Sequence, residues 1–82
     1  VRGHVQGVGY RQACCRAAVA LGVAGWVRNR SDGSVEVQAE GPNQQLLDLR
    51  LWCESGPPGA LVSEVIPSLM PIAGDDWFEI RR

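Results

Sequence analysis

The spacing of apolar residues changes repeatedly along this chain, and each change marks a new element. Val1, Gly3 and Val5 alternate with Arg2 and His4. A period of two is the pattern of a strand with one face turned inward, and it predicts β-structure from Val1 to Gln6. From Gln12 to Leu21 the period lengthens. Cys14, Ala17, Ala18 and Leu21 share one helical stripe, and Gly22 follows as a residue suited to ending a helix. A second strand is expected from Val23 to Asn29. The polar turn Arg30-Ser31-Asp32-Gly33 carries an Asp-Gly signal and leads into a third strand, Ser34 to Glu40. Here Val35, Val37 and Ala39 point one way and Glu36, Gln38 and Glu40 the other, as in a sheet with one buried and one wet face.

Gly41-Pro42 breaks the third strand and opens a second helix, with Pro42 suited to its first turn. Leu46, Leu49 and Cys53 form its stripe, widened by Leu47, Leu51 and Trp52. Ser55 to Gly59 reads as a loop and Ala60 to Ile66 as a fourth strand. Pro67, Pro71 and Gly74 predict an irregular stretch. Asp76 to Arg81 closes the chain as a short extra strand with Phe78 and Ile80 facing in. The order β-α-β-β-α-β is that of the split βαβ, or ferredoxin-like, α+β sandwich: an antiparallel sheet with both helices on one face. In that topology the first and second strands run parallel with the third between them. Their C-terminal ends share one edge, roughly 10 Å apart at ordinary strand spacing. The loop ending at Arg11 leaves one of these ends, and Asn29 stands at the other.

Length and charge narrow the choice. The 82 residues predict one small domain spanning 1–82, whose first strand is expected to begin before Val1. A net charge of −1 argues against a dedicated nucleic-acid binder. All eight basic residues are Arg, which removes Schiff-base chemistry and any lysine-based phosphate loop. No stretch is long and apolar enough to cross a membrane, so no membrane partner is expected. Cys14, Cys15 and Cys53 are odd in number, with two adjacent. That is not a disulfide framework, and a reducing, cytoplasmic compartment is expected. Cys14 reads as core and Cys15 as partly exposed. A cysteine-phosphatase mechanism is excluded, because Ala20, Leu21 and Gly59 stand where its Arg would follow each thiol. No C-x-x-C pair is present for redox work.

The run Gly3-His4-Val5-Gln6-Gly7-Val8-Gly9-Tyr10-Arg11 carries the candidate chemistry. Gly7 and Gly9 allow a sharp turn and close approach to a ligand. A helix N-terminus has unpartnered N–H groups and a partial positive charge. Ser, Thr, Asp or Asn usually caps it, and none occurs between Gln6 and Arg11. A bound anion fills such a vacancy, and Arg11 is placed to add a bidentate grip on phosphate. Plain turn chemistry is the other reading. The run is not a nucleotide P-loop, which needs a following Lys-Ser/Thr, nor a dinucleotide fingerprint, which needs a third Gly. Apart from His4, read as a strand-face residue, the chain has no histidine, no metal-ligand cluster and no paired carboxylates at a strand end. No metal and no cofactor is expected. Asn29 offers an amide oxygen to water, or simply starts the turn. Arg28 and Arg30 flank it and attract anions. Trp26, Trp52 and Trp77 read as packing residues.

Two stretches resemble the acylphosphatase family: Val1-x-Gly3-x-Val5-Gln6-Gly7-Val8-x-Tyr10-Arg11, and Gly25-Trp26-Val27-Arg28-Asn29-x-x-x-Gly33-x-Val35, continuing to Gly41. Trp52, Gly56-Pro57 and Phe78-Glu79-Ile80-Arg81 also fit, and the resemblance covers nearly the whole chain. It implies the ferredoxin-like fold and an enzyme that hydrolyses acyl phosphates to carboxylate and inorganic phosphate without metal or cofactor. It implies that the loop Gln6, Gly7, Val8, Gly9, Tyr10 cradles the phosphate with backbone N–H groups. It further implies that Arg11 binds the phosphate, that Asn29 positions the attacking water, and that the phosphate itself takes up the proton. The chain departs from the family pattern at Tyr10, where Phe is usual, and at His4, where Arg or Lys is common. The first change bears on packing and the second weakens long-range attraction of the anion. The expected partners are a small acyl phosphate and the phosphate product, with no nucleic acid, and a monomer is the default. The small cradle sees mainly phosphate, so weak selection of the acyl part is expected. The alternative is a non-catalytic acyl or carbamoyl phosphate-binding module of the same fold. A ferredoxin-like RNA binder would stack bases on aromatics of its central strands, and the third strand offers Glu36, Gln38 and Glu40 instead.

Overall fold

The computed structural model describes residues 1–68 and 74–81. Its elements are β1 (Arg2–His4), α1 (Tyr10–Leu21), β2 (Ala24–Asn29), β3 (Val35–Glu40), α2 (Asn43–Ser55), β4 (Leu61–Glu64) and β5 (Phe78–Arg81). β1 pairs antiparallel with β4, β2 pairs antiparallel with β3, and β5 adds to β2 in parallel. The two ladders meet where Val1 and Val35 exchange both backbone hydrogen bonds, at 2.7 and 2.8 Å. That exchange is the mark of an antiparallel pair. The strands therefore lie in the order β4-β1-β3-β2-β5. Both helices pack on the sheet and against each other, α1 on β2 and β5 and α2 on β4. This is the ferredoxin-like sandwich, with its extra strand making one edge parallel.

The element boundaries shift for local reasons. α1 begins at Tyr10 rather than Gln12, because Gly9 takes a left-handed conformation and the helix starts directly after it. β1 stops at His4 rather than Gln6; Val5 then turns into the core and is 1% exposed. β2, β3, β4 and β5 each start inside their predicted spans. Ser34, for instance, is held by Asp32. Pro42 precedes α2 as an extended N-cap instead of entering its first turn. Pro71 lies outside the described residues.

Tyr10, Cys14 and Ala18 bury one stripe of α1, Leu49 and Cys53 one stripe of α2, and Val27, Val35 and Phe78 meet them from the sheet. The Tyr10 hydroxyl donates to the Cys53 carbonyl at 2.9 Å, and its ring packs on Trp52 with centroids 5.3 Å apart. Contact with Cys53, together with burial, pushes the Cys14 thiol up, so it stays protonated and acts as a small apolar group.

Other expectations fail where no layer covers the residue. Leu47 and Leu51 are exposed on the flank of α2, and Trp77 is 66% exposed. Trp26 is half-buried, with the Arg28 and Arg81 guanidinium groups each 5.2 Å from its ring centroid. Val37 and Ala39 are half-buried and pack against the core as expected, while Glu36, Gln38 and Glu40 are half-buried on the other face.

Gly25 sits where β2 and β3 approach closely. It has φ 141, and a Cβ there would overlap the Gln38 carbonyl oxygen. Gly25→Ala is expected to cost about 2 kcal/mol, a fall in Tm of roughly 10 °C. Thermal denaturation monitored by circular dichroism checks it; an unchanged Tm contradicts the close approach.

Candidate active site

The chain leaves β1 through Gly7 and Gly9, with φ 78 and 75. Residues bearing a Cβ are strained in this left-handed region. Among the described residues nothing lies within 4 Å of where either Cβ would stand, so conformation and not crowding calls for glycine, and the space around the loop is open. Gly9 caps α1 without any side-chain hydrogen bond, and the first turn holds no acidic residue. The helical ladder opens with the Ala13 N–H donating to the Gly9 carbonyl at 3.1 Å. The N–H groups of Tyr10, Arg11 and Gln12 precede it and are turned to the positive end of the helix.

The second side of the site comes from β2. Asn29 is its last residue and pairs with Val35, which in turn pairs with Val1. β1, β2 and β5 thus all run toward the same edge of the sheet. A cavity of about 260 Å³ opens there, lined by Val5, Gly7, Gly9, Tyr10, Arg11, Gln12, Asn29 and Ile80. Arg11 and Asn29, both half-buried, meet in it across the loop.

Two residues assigned to the cradle through their backbone N–H groups also hold the loop in place with their side chains. The Gln6 side-chain amide donates to the Arg30 carbonyl at 2.8 Å and the Ser34 carbonyl at 2.9 Å. It ties the loop to the β2–β3 turn and braces the two sides of the cavity. Val8 is partly buried against the core and anchors the loop from below. Gln12 and Ile80 are cavity residues that the sequence reading missed. Ile80 pairs with Val27, so it points to the helix side as expected, yet it is 42% exposed because α1 does not cover it. Strand alternation gives its direction, but no sequence signal shows how far α1 covers it.

The turn after Asn29 is held by Asp32. Its Oδ1 accepts from the Ser34 N–H at 2.9 Å and the Ser34 hydroxyl at 2.6 Å. These bonds, the hydroxyl first, hold the Asp32 carboxyl below its ordinary range. A depressed folded-state pKa contributes stability above the ordinary carboxylate pKa, and that stability is lost as pH falls through the depressed value. Asp32→Ala is therefore expected to lower Tm at neutral pH, with the gap to the parent chain closing in acid. Melting curves across pH check this, and a gap that widens in acid contradicts it.

Of the two arginines flanking Asn29, Arg28 is engaged by Glu36 at 2.7 Å, and Arg30 is exposed. His4 is exposed on β1. Cys15 is half-buried, its thiol 3.7 Å from the Phe78 carbonyl oxygen. Among the described residues no group of three or more His, Cys, Asp or Glu is placed to hold a metal ion, and no helix is long and apolar enough to cross a membrane.

Residues 1–80 match the family model described as Acylphosphatase. The chain belongs to the acylphosphatase family. An acylphosphatase of Synechococcus sp. (strain RCC307) is 67% identical over 81 residues, covering 99% of this chain and 69% of that one. The crystal structure of acylphosphatase from Bacillus subtilis superposes with a TM-score of 0.94 at 36% identity, covering 100% of this chain and 92% of that chain. The crystal structure of T. kodakarensis HypF superposes with a TM-score of 0.86 at 28% identity, covering 99% of this chain but 11% of that chain. The acylphosphatase fold thus occurs both at about this size and as a small part of a much longer protein.

Proposed function

We propose that this chain is an acylphosphatase enzyme that hydrolyses the mixed anhydride of a carboxylic acid and phosphate. The observation that carries this reading is the meeting of Arg11, the Gly7–Gly9 loop and Asn29 in one cavity. The phosphoryl group sits at the N-terminus of α1. Backbone N–H groups from the loop and first turn bind its oxygens, and Arg11 adds a two-pronged, charge-assisted contact. Asn29 accepts a hydrogen bond from water through its amide oxygen and holds it opposite the leaving group. A new P–O bond forms from water as the P–O bond to the acyl group breaks. The electron pair leaves with the carboxylate, a good leaving group that needs no protonation. Asn29 is no base, so the phosphate itself takes up the proton.

The substrate is already activated, so positioning and charge stabilisation supply the catalysis, and no metal or cofactor enters. The three cysteines are free, which supports a reducing, cytoplasmic setting. The chain acts as one domain and as a monomer, with no nucleic-acid or membrane partner. The likeness to a small part of HypF favours a second reading, a non-catalytic acyl or carbamoyl phosphate-binding module, which would bind phosphate compounds with negligible turnover.

Hydrolysis in ¹⁸O-water tests the mechanism. Label is expected in inorganic phosphate; label in the carboxylate would mean attack at the acyl carbon, away from the cradle. Gln6→Ala, which removes the brace, is expected to raise KM roughly tenfold. Steady-state kinetics with acetyl phosphate checks this, and an unchanged KM would deny the brace a role.

A further inference from the structure

Next to the phosphate cavity, α1 and β5 leave a second, open depression of about 580 Å³, lined by Gln12, Cys15, Arg16, Val19, Ala20 and Ile80. Gln12 and Ile80 line both cavities, so the second continues directly from the first. We propose that this groove receives the acyl group of the substrate and favours apolar chains of about octanoyl length over acetyl. The proposal rests on reading the first cavity as the phosphate site.

The helix has two working faces. Tyr10, Cys14 and Ala18 supply the core. Gln12, Cys15, Arg16, Val19 and Ala20 recur at the helical period on another side, where Cys15, Val19 and Ala20 are apolar. Val19 is 62% exposed, and Ile80 opens beside it on the helix side of the sheet. An acyl group that leaves the first cavity past Gln12 and Ile80 enters this groove. From Gln12 to Val19 the helix rises about 10 Å, the reach of an extended octanoyl chain. Among the described residues no acidic side chain lines the groove, which suits a substrate whose phosphate end is an anion. Arg16 adds an aliphatic stem to the wall and keeps its charged head in water.

The test compares kcat/KM for acetyl and octanoyl phosphate, and the inhibition constants of methylphosphonate and octylphosphonate, in the parent chain and in Val19→Gln. Val19 lies outside the phosphate cavity, and Gln keeps good helix propensity. The parent chain is expected to prefer octanoyl over acetyl phosphate about tenfold, through KM, and to bind octylphosphonate correspondingly tighter. Val19→Gln is expected to erode both preferences about threefold and leave acetyl phosphate turnover unchanged. Equal KM values for the two substrates, or a Val19→Gln chain that keeps the full octanoyl preference, overturns the proposal. If neither substrate is turned over, the enzymatic reading fails. The phosphonate pair still decides the groove in that case, since equal affinities overturn it and tighter octylphosphonate binding that Val19→Gln weakens supports it.

Discussion

Arg11→Ala is expected to lower kcat/KM for acyl phosphates by about 10²–10³ while the fold stays intact. Arg11 stands in the first turn of α1 and is half-buried at the phosphate cavity. Among the described residues it makes no ion pair, so truncation strands no buried partner and leaves the core stripe of α1 untouched. What disappears is, among the described residues, the one charged group lining the cavity, where negative charge builds up on the phosphoryl oxygens. Arg11→Lys should recover little, because an ammonium cannot reproduce the planar fork that grips two oxygens at once. The measurement is steady-state kinetics beside a thermal melt, with inhibition by inorganic phosphate as a direct readout of the grip. Near-normal turnover, or unchanged phosphate inhibition, would remove Arg11 from the site.

Asn29→Ala is expected to lower kcat by a similar factor of about 10²–10³ with KM little changed. The distinction follows from the proposed role: Asn29 holds the water, whereas Arg11 and the loop hold the phosphate. The bland alternative is that Asn29 merely starts the turn. The geometry weighs against it, because the turn is held by Asp32 on Ser34 and by Gln6 on the Arg30 and Ser34 carbonyls. No hydrogen bond from the Asn29 amide to that turn is seen among the described residues. A structural role would show as a lower Tm and a raised KM together. Kinetics and melting of Asn29→Ala therefore separate the two roles, and a lost Tm with retained kcat would return Asn29 to the turn.

The candidate site is legible in the sequence to the extent that it depends on local chemistry and topology. Gly7 and Gly9, the missing cap and Arg11 all act within one loop and helix start. Asn29 joined them through the rule that the first and second strands of this topology end on one edge, and the Val1–Val35 pairing bears out that order. Periodicity tells which way a side chain points but not whether another layer lies over it. Phe78 and Ile80 both point to the helix side, yet α1 covers only Phe78. Leu47 and Leu51 widened a real stripe beyond what the packing uses. The resemblance assigns Gln6 to the cradle through its backbone N–H group. The bracing role of its side chain depends on the two carbonyls that the β2–β3 turn brings within reach, and no local pattern encodes that.

The account's central claim is metal-free hydrolysis of an acyl phosphate in a cradle that uses Asn29 to place the water. The most direct test is benzoyl phosphate hydrolysis in the presence of EDTA, comparing the parent chain with Asn29→Ala. Fast turnover by the parent chain and a loss of about 10²–10³ in Asn29→Ala is the predicted result. A folded parent chain that binds phosphate but turns over no benzoyl phosphate, or an Asn29→Ala chain that matches the parent, would contradict it.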